Sequence, residues 1–244
     1  MTGFGSSAIA TFQRKFSHYY ARYVGGDDRP VFFPVDTFPA LHVLERNAAA
    51  IGAELEPLLR AREALPDLPE VDPAQDPIGS RDTQGRAWKV FYLSTAGVHI
   101  KENMAKCPQT ARMLLAVPNM AQAFFSILEP GRSVPAHCGP YMGYLRYHLA
   151  LVVPDDNPPT LRVRDQTYCW KTGESVLFDD TWEHEVTNNS SGLRAVLIVD
   201  VLRPLPRVPH IVNWMYIFGG GRLVYGKGIV ERNLRRHREA AALG

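Results

Sequence analysis

The sequence predicts a mainly β fold with flanking helices, and three observations carry that prediction. From Ala121 onward the chain breaks into short β-rich runs separated by Pro, Gly, Asn and Asp clusters, the pattern of a sandwich or barrel. Two of those runs each hold a lone arginine among apolar neighbours, Arg146 in YLRYHLALVV and Arg194 in GLRAVLIVDV. Ahead of them, between Phe38 and Leu65, the apolar positions Leu41, Leu44, Ala48, Ile51, Leu55, Leu58 and Leu59 recur at the spacing of an amphipathic helix.

Taken in order, Met1 to Pro34 mixes aromatic and basic residues (FQRKFSHYYARY) and reads as an arm that docks on the domain or on something else. The helix over 38–65 follows. LPDLPEVDPAQDPIGS then carries four prolines and four acidic residues, too interrupted for an element, and is either a plain linker or a lid over a pocket. WKVFYLS reads as a strand and CPQTARMLLAVPNM as a short helix. AQAFFSILE, LRYHLALVV, TLRVRD, TYCWK, ESVLFDD, HEVTN and LRAVLIVDVL are the strands of the β half. This divides the chain into residues 1–80 (arm, helix and Pro-rich loop packing on the core), a core over 81–204, and a C-terminal extension over 205–244.

Composition narrows the function. At 244 residues and 45% hydrophobic content there is material for one well-cored domain with decorations, and no internal repeat. A net charge of +2, without the aromatic-basic pattern of an RNA or DNA module, gives no case for nucleic acid. Cys107, Cys138 and Cys169 are too few and too scattered for a disulfide framework or a zinc site. The start lacks the basic flank and apolar core of a signal peptide, so a cytoplasmic protein is expected.

The chemistry concentrates in the β half. His137 in PAHCGP and His184 in FDDTWEHEV lie in or beside apolar runs. Alternation puts Arg146, His148 and Ala150 on one face of their strand, with Leu145, Tyr147, Leu149 and Leu151 on the other. Ser126 shares a face with Phe124 and Leu128, and Arg194 aligns with Val196 and Ile198. An unpaired guanidinium inside a sheet costs several kcal/mol, so each arginine needs a partner. Either Asp179, Asp180 or Asp200 supplies it, or an anionic ligand beside a metal does.

The motifs SILEPGRSVPAHCGP, LRYHLALVVP, FDDTWEHEV and LRAVLIVDVLRP, spread over about Trp88 to Pro204, resemble the aspartyl/asparaginyl β-hydroxylase family of Fe(II)/2-oxoglutarate-dependent dioxygenases, which also includes bacterial hydroxylases of lipid A and ornithine lipids. The resemblance implies a double-stranded β-helix (jelly-roll, cupin-like) core holding Fe(II) through His137 and His184. It implies 2-oxoglutarate and O2 as cosubstrates, with Arg194 and Ser126 on the distal carboxylate and His148 on the carboxylate nearer the metal. Arg146 would face cosubstrate or substrate. The position two residues after the first histidine, a carboxylate in most such enzymes, is Gly139, as in the peptide-hydroxylating branch. Tyr144 stands where that branch has a second base for the substrate's carboxylate, and so favours the lipid branch.

The expected activity is therefore hydroxylation of an unactivated carbon, with the β-carbon of an aspartyl or asparaginyl residue or related amino acid first, a lipid acyl chain at the membrane surface as the alternative, and a non-enzymatic cupin-like binding protein as the third reading. Residues 205–244 carry seven Lys/Arg against two Glu, and IVNWMYIF within them is too short to span a bilayer. This extension either packs on the barrel or touches an anionic membrane from the inner face.

Overall fold

In the computed structural model, residues 16–242 are described; the Met1–Lys15 part of the arm lies outside them. The strands are β1 (Phe32–Phe33), β2 (Trp88–Thr95), β3 (Val98–His99), β4 (Met120–Leu128), β5 (Val134–His137), β6 (Tyr144–Val152), β7 (Thr160–Val163), β8 (Gln166–Cys169), β9 (Ser175–Phe178), β10 (His184–Thr187) and β11 (Arg194–Leu202). They form an antiparallel sheet in the order β1-β9-β6-β11-β4-β2-β3 and a second one in the order β5-β10-β7-β8. From β4 to β11 the chain passes back and forth between the two, which is the winding of a double-stranded β-helix.

Period-two alternation decides what each sheet face does. Leu145, Tyr147 and Leu149 of β6, Phe125 and Ile127 of β4, and Leu197, Val199 and Val201 of β11 form the outer face of the large sheet. That face is covered by α2 (His42–Arg46), α3 (Ala48–Arg60) and α7 (Pro108–Leu115), through Leu44, Ile51, Leu55, Met113 and Leu114. Phe124, Ala150, Val196, Ile198 and Phe178 turn the other way, toward Val134, Leu161, Val163 and Val186 of the small sheet. The interior between the sheets is where the charged residues of β6 and β11 must go.

Three expectations are modified. The single helix over 38–65 is broken at Asn47, whose Nδ2 donates to the Val43 carbonyl at 2.7 Å and so competes with helix propagation. LPDLPEVDPAQDPIGS is not a structureless loop: it folds into α4 (Leu68–Val71), a 3-10 turn (Pro73–Gln75) and α5 (Asp76–Gly79). Three of its four prolines, Pro69, Pro73 and Pro77, sit at the first or second helical position, where no backbone N–H is missed, and Asp67 with Glu70 closes a capping box. A helix α6 (Lys101–Lys106) and the strand β5 appear where none was read, β5 because Pro135 interrupts its pattern.

The rest of the arm docks on the domain. Residues 16–24 form a helix, α1, with Tyr20 fully buried, the Ser17 hydroxyl accepting from Met142 N at 2.7 Å, and Phe16 stacked at 6.3 Å on Tyr141. The C-terminal extension packs on the barrel as α8 (Arg207–Trp214), a wide π-type helical segment (Met215–Gly226) and α9 (Lys227–Ala242). Asn213, Ile229 and Asn233 are its buried anchors, and the side chains of Arg236, Arg238 and Glu239 lie outside the described residues.

Candidate active site

His137 closes β5 and His184 opens β10, and antiparallel pairing makes them direct cross-strand partners with ring centroids 4.1 Å apart. Each ring is fixed the same way. His137 Nδ1 donates to the Pro135 carbonyl at 2.8 Å, and His184 Nδ1 donates to the Trp182 carbonyl at 2.9 Å. A carbonyl can only accept, so the proton is on Nδ1 and both Nε2 atoms keep a lone pair. Burial lowers the pKa of His137 and, with His137 beside it, pushes His184 down to about 3, so both rings are neutral. Two neutral imidazoles offering Nε2 side by side fit Fe(II). Among the described residues no group of three or more His, Cys, Asp or Glu side chains gathers as a ligand set.

The loop before His184 is anchored by charge. Asp179 is fully buried and paired with Arg29 and Arg203, while Trp182, whose carbonyl orients His184, stacks under the Arg29 guanidinium at 3.5 Å and near that of Arg164 at 4.2 Å.

Deeper between the sheets lies a second polar group with nothing to neutralise it. Arg194 is 2% exposed, and among the described residues it has no carboxylate within ion-pair distance. Its one hydrogen bond is a 3.5 Å contact from an Nη to the Ser126 hydroxyl, and Nε and the second Nη are unpartnered. Burial lowers its pKa to about 9, a measure of how poorly the surrounding side chains alone support the charge. His148 also has both ring nitrogens buried and unpartnered, and burial followed by Arg194 holds it well below its ordinary value. Trp170 lies 4.0 Å under the Arg194 guanidinium and 5.9 Å from the His148 ring, with its own N–H unpartnered. A guanidinium with two nitrogens unpartnered among the described residues, a hydroxyl held beside it, and an imidazole likewise unpartnered make a cradle for an anion, and a dicarboxylate such as 2-oxoglutarate fits that donor set.

Arg146 has the opposite fate. It forms a two-pronged ion pair with Asp200 (2.8 and 2.9 Å) and a further contact of 3.2 Å with Asp180. These pairings hold its charge against burial and raise its pKa well above the usual value. Tyr144, 9% exposed, lies beside it with its hydroxyl 3.5 Å from Asp180. Asp180 also explains Gly139: a Cβ there would sit 2.5 Å from the Asp180 carboxylate, and Gly139 N donates to the Asp180 carbonyl at 2.7 Å. The space beside His137 that a third ligand's side chain would use is taken by a carboxylate from the loop between β9 and β10.

These residues open on a cleft of about 310 Å³ lined by His137, Gly139, Tyr144, Arg146, Asp180 and Asp200 on one side. Trp88, Tyr92, Phe124, Leu68, Ile78 and Tyr225 line much of the rest, together with Tyr141, Tyr216 and Ile217 and the polar Asp72, Gln75, Thr95 and Gln122. The Pro-rich segment contributes Leu68, Asp72, Gln75 and Ile78 to the wall of the cleft. All seven site residues read from the sequence, Ser126, His137, Tyr144, Arg146, His148, His184 and Arg194, fall in this one region of the barrel, while sequence reasoning missed Trp88 and Trp170. Trp88 Nε1 donates to the Ser126 hydroxyl at 2.9 Å, fixing it for Arg194. Alternation along WKVFYLS, with Trp88, Val90 and Tyr92 on one face, was the available signal.

The sequence model of the Aspartyl/Asparaginyl beta-hydroxylase family matches residues 45–204. The chain is 36% identical over 211 residues to an ornithine lipid ester-linked acyl 2-hydroxylase of Rhizobium tropici, covering 86% of this chain and 72% of that one. It is 32% identical over 193 residues to aspartate beta-hydroxylase domain-containing protein 2 of Homo sapiens, covering 75% of this chain and 49% of that one. Among solved structures it is similar to a cupin 2 conserved barrel domain protein from Salinispora arenicola, with a TM-score of 0.28 and 12% identity over 39% of this chain and 71% of that one.

Proposed function

The chain belongs to the aspartyl/asparaginyl β-hydroxylase family, a family of hydroxylases, and on that premise we propose that it is an Fe(II)- and 2-oxoglutarate-dependent dioxygenase whose target is a lipid acyl chain. His137 and His184 would hold the iron through Nε2. Arg194, with Ser126 steadied by Trp88, would clamp the distal carboxylate of 2-oxoglutarate, and neutral His148 would donate to the carboxylate nearer the metal. Fe(II), 2-oxoglutarate and O2 together supply, when bound, the oxidising power that replaces C–H by C–OH. The two sheets and the helix layer keep water from the pocket, and the cleft orients the target carbon.

The observation that carries the substrate class is the state of Arg146. The base expected to receive an aspartyl carboxylate is already neutralised by Asp200 and Asp180, and an acidic side chain entering the cleft would meet those two carboxylates and Asp72. Most of the other lining residues, among them Trp88, Tyr92, Phe124, Leu68, Ile78 and Ile217, are aromatic or aliphatic, with Gln75, Thr95 and Gln122 as polar exceptions, and that apolar majority suits methylene groups. This reverses the order drawn from sequence, where Gly139 favoured the peptide branch. Similarity to the Rhizobium tropici relative supports the same choice.

The test is mass spectrometry after incubation with Fe(II), 2-oxoglutarate and O2. Ornithine lipid dispersed in detergent is expected to gain one oxygen on an acyl chain, while aspartyl and asparaginyl peptides stay unchanged. Oxygen on the peptides and none on the lipid would overturn the acyl-chain reading.

A further inference from the structure

Seven large hydrophobic side chains are strongly exposed among the described residues, and five of them fall in one stretch: Val208 (68%), Ile211 (56%), Trp214 (48%), Met215 (61%) and Leu223 (63%). Val208, Ile211 and Met215 stand at i, i+3 and i+7, so at 100° per residue they share one face, with Trp214 at its edge. The buried residues of α8, Pro209 and Asn213, lie on the opposite face. α8 is therefore amphipathic with its greasy side turned to solvent. A monomer in water rarely keeps such a contiguous patch without a use for it.

Two features say what covers it. The charged side chains around the stripe are basic: Arg207 immediately before it, and Arg222 and Lys227 after it, are all exposed. The stripe is also continuous with the cleft, because Tyr216, Ile217 and Tyr225 of the same helical stretch line that cavity. The segment is held rigidly to the barrel: the Phe218 ring sits where a Cβ on Gly97 would be, at 2.8 Å, and Gly226 abuts Ala96 and the Thr95 carbonyl. No helix among the described residues is long and apolar enough to cross a membrane, so a lipid surface would be met from the side.

We propose that the solvent face of α8, with Met215 and Leu223, is an interfacial docking surface for an anionic lipid bilayer, placing the cleft mouth at the level where an acyl chain can leave the leaflet. The partner is the membrane surface itself: apolar side chains enter the boundary between headgroups and chains, while Arg207, Arg222 and Lys227 meet lipid phosphates. The proposal rests on the acyl-chain reading of the cleft, and deepens it by saying how a water-exposed barrel reaches a substrate that stays in a bilayer.

The experiment is co-sedimentation of the full chain with phosphatidylcholine vesicles, with and without phosphatidylglycerol as about a third of the lipid. The protein is expected to bind the anionic vesicles, and added salt should weaken that binding. Ile211→Asp/Met215→Asp, and separately the milder Ile211→Ser/Met215→Ser, should lower the vesicle-bound fraction by roughly tenfold or more, because each removes buried apolar contact with the interface. Both positions are exposed and outside the cleft, so melting temperature and hydroxylation of detergent-dispersed lipid should stay at the parent level. No binding by the parent, or equal binding by both variants, would overturn the surface. So would a dimer seen by light scattering that the variants abolish without any vesicle binding, which would make the occupant a second copy. Vesicle binding without oxygen gain on dispersed lipid overturns the acyl-chain reading and leaves the surface supported; oxygen gain without vesicle binding overturns the surface alone.

Discussion

Replacing Arg194 by methionine should stabilise the empty protein and abolish its response to 2-oxoglutarate. The guanidinium is 2% exposed, with no carboxylate partner among the described residues. Burial lowers its pKa to about 9, and at ~1.4 kcal/mol per pH unit that fall bounds the cost of keeping the charge there unpaired at about 5 kcal/mol. Relaxation and water entry reduce that in practice, and swapping buried charge for apolar volume typically gains about 1–4 kcal/mol. For a chain of this length each kcal/mol moves the melting temperature by about 2–4 °C, so the methionine variant should melt at least that much higher than the parent. In the parent, an anion that pairs with Arg194 recovers the cost. With Fe(II) under argon and 2-oxoglutarate at about 100 times its Kd, ligand linkage contributes about 2.7 kcal/mol, or roughly 5–10 °C. Differential scanning fluorimetry of both proteins with and without 2-oxoglutarate reads all four values. A variant that melts below the parent when empty, and still rises on adding 2-oxoglutarate, would refute the assignment of Arg194 to the cosubstrate.

Three further outcomes are expected. His137→Ala and His184→Ala should each lose most Fe(II) binding in a metal titration with the circular dichroism spectrum unchanged, and stoichiometric iron in both would remove them as ligands. Asp200→Ala should lower stability, by urea denaturation, by less than the ~3–5 kcal/mol of a fully orphaned buried charge because Asp180 still faces Arg146; an unchanged midpoint would mean the pair contributes nothing. Burial alone would raise the Asp179 carboxyl, but Arg203, Thr181 and Arg29 outweigh it and hold the pKa below 3.8. Its contribution to stability is therefore complete above that value and lost as pH falls through the lower folded pKa, so Asp179→Asn should destabilise at neutral pH and flatten the acid limb; superimposable acid-unfolding curves would contradict this.

The sequence reading succeeded where one physical rule dominates. β4, β6 and β11 were legible because each has one face on the helices and one on the interior, so period-two alternation marks both their position and the inward residues Ser126, Arg146, His148 and Arg194. β5 was hidden by Pro135 and by being only four residues long. The Pro-rich stretch was misread because proline at a helix start looks in sequence like proline that ends one. The fates of the two arginines could not be told apart, since Arg146 meets Asp200 only through the pairing of β6 with β11. Trp170 was missed for a similar reason: its place under Arg194 comes from the packing of one sheet on the other and leaves no periodic trace.

The contact between Gly139 and Asp180 also constrains how this site can change over generations. A single substitution that places a carboxylate at position 139 beside His137 would have to occupy space that Asp180 already fills. A small residue at 180 would have to come first, and that step strips Arg146 of one of its two partners before anything is gained. Each change carries a cost without the other, so positions 139 and 180 are coupled through one volume and one ion pair.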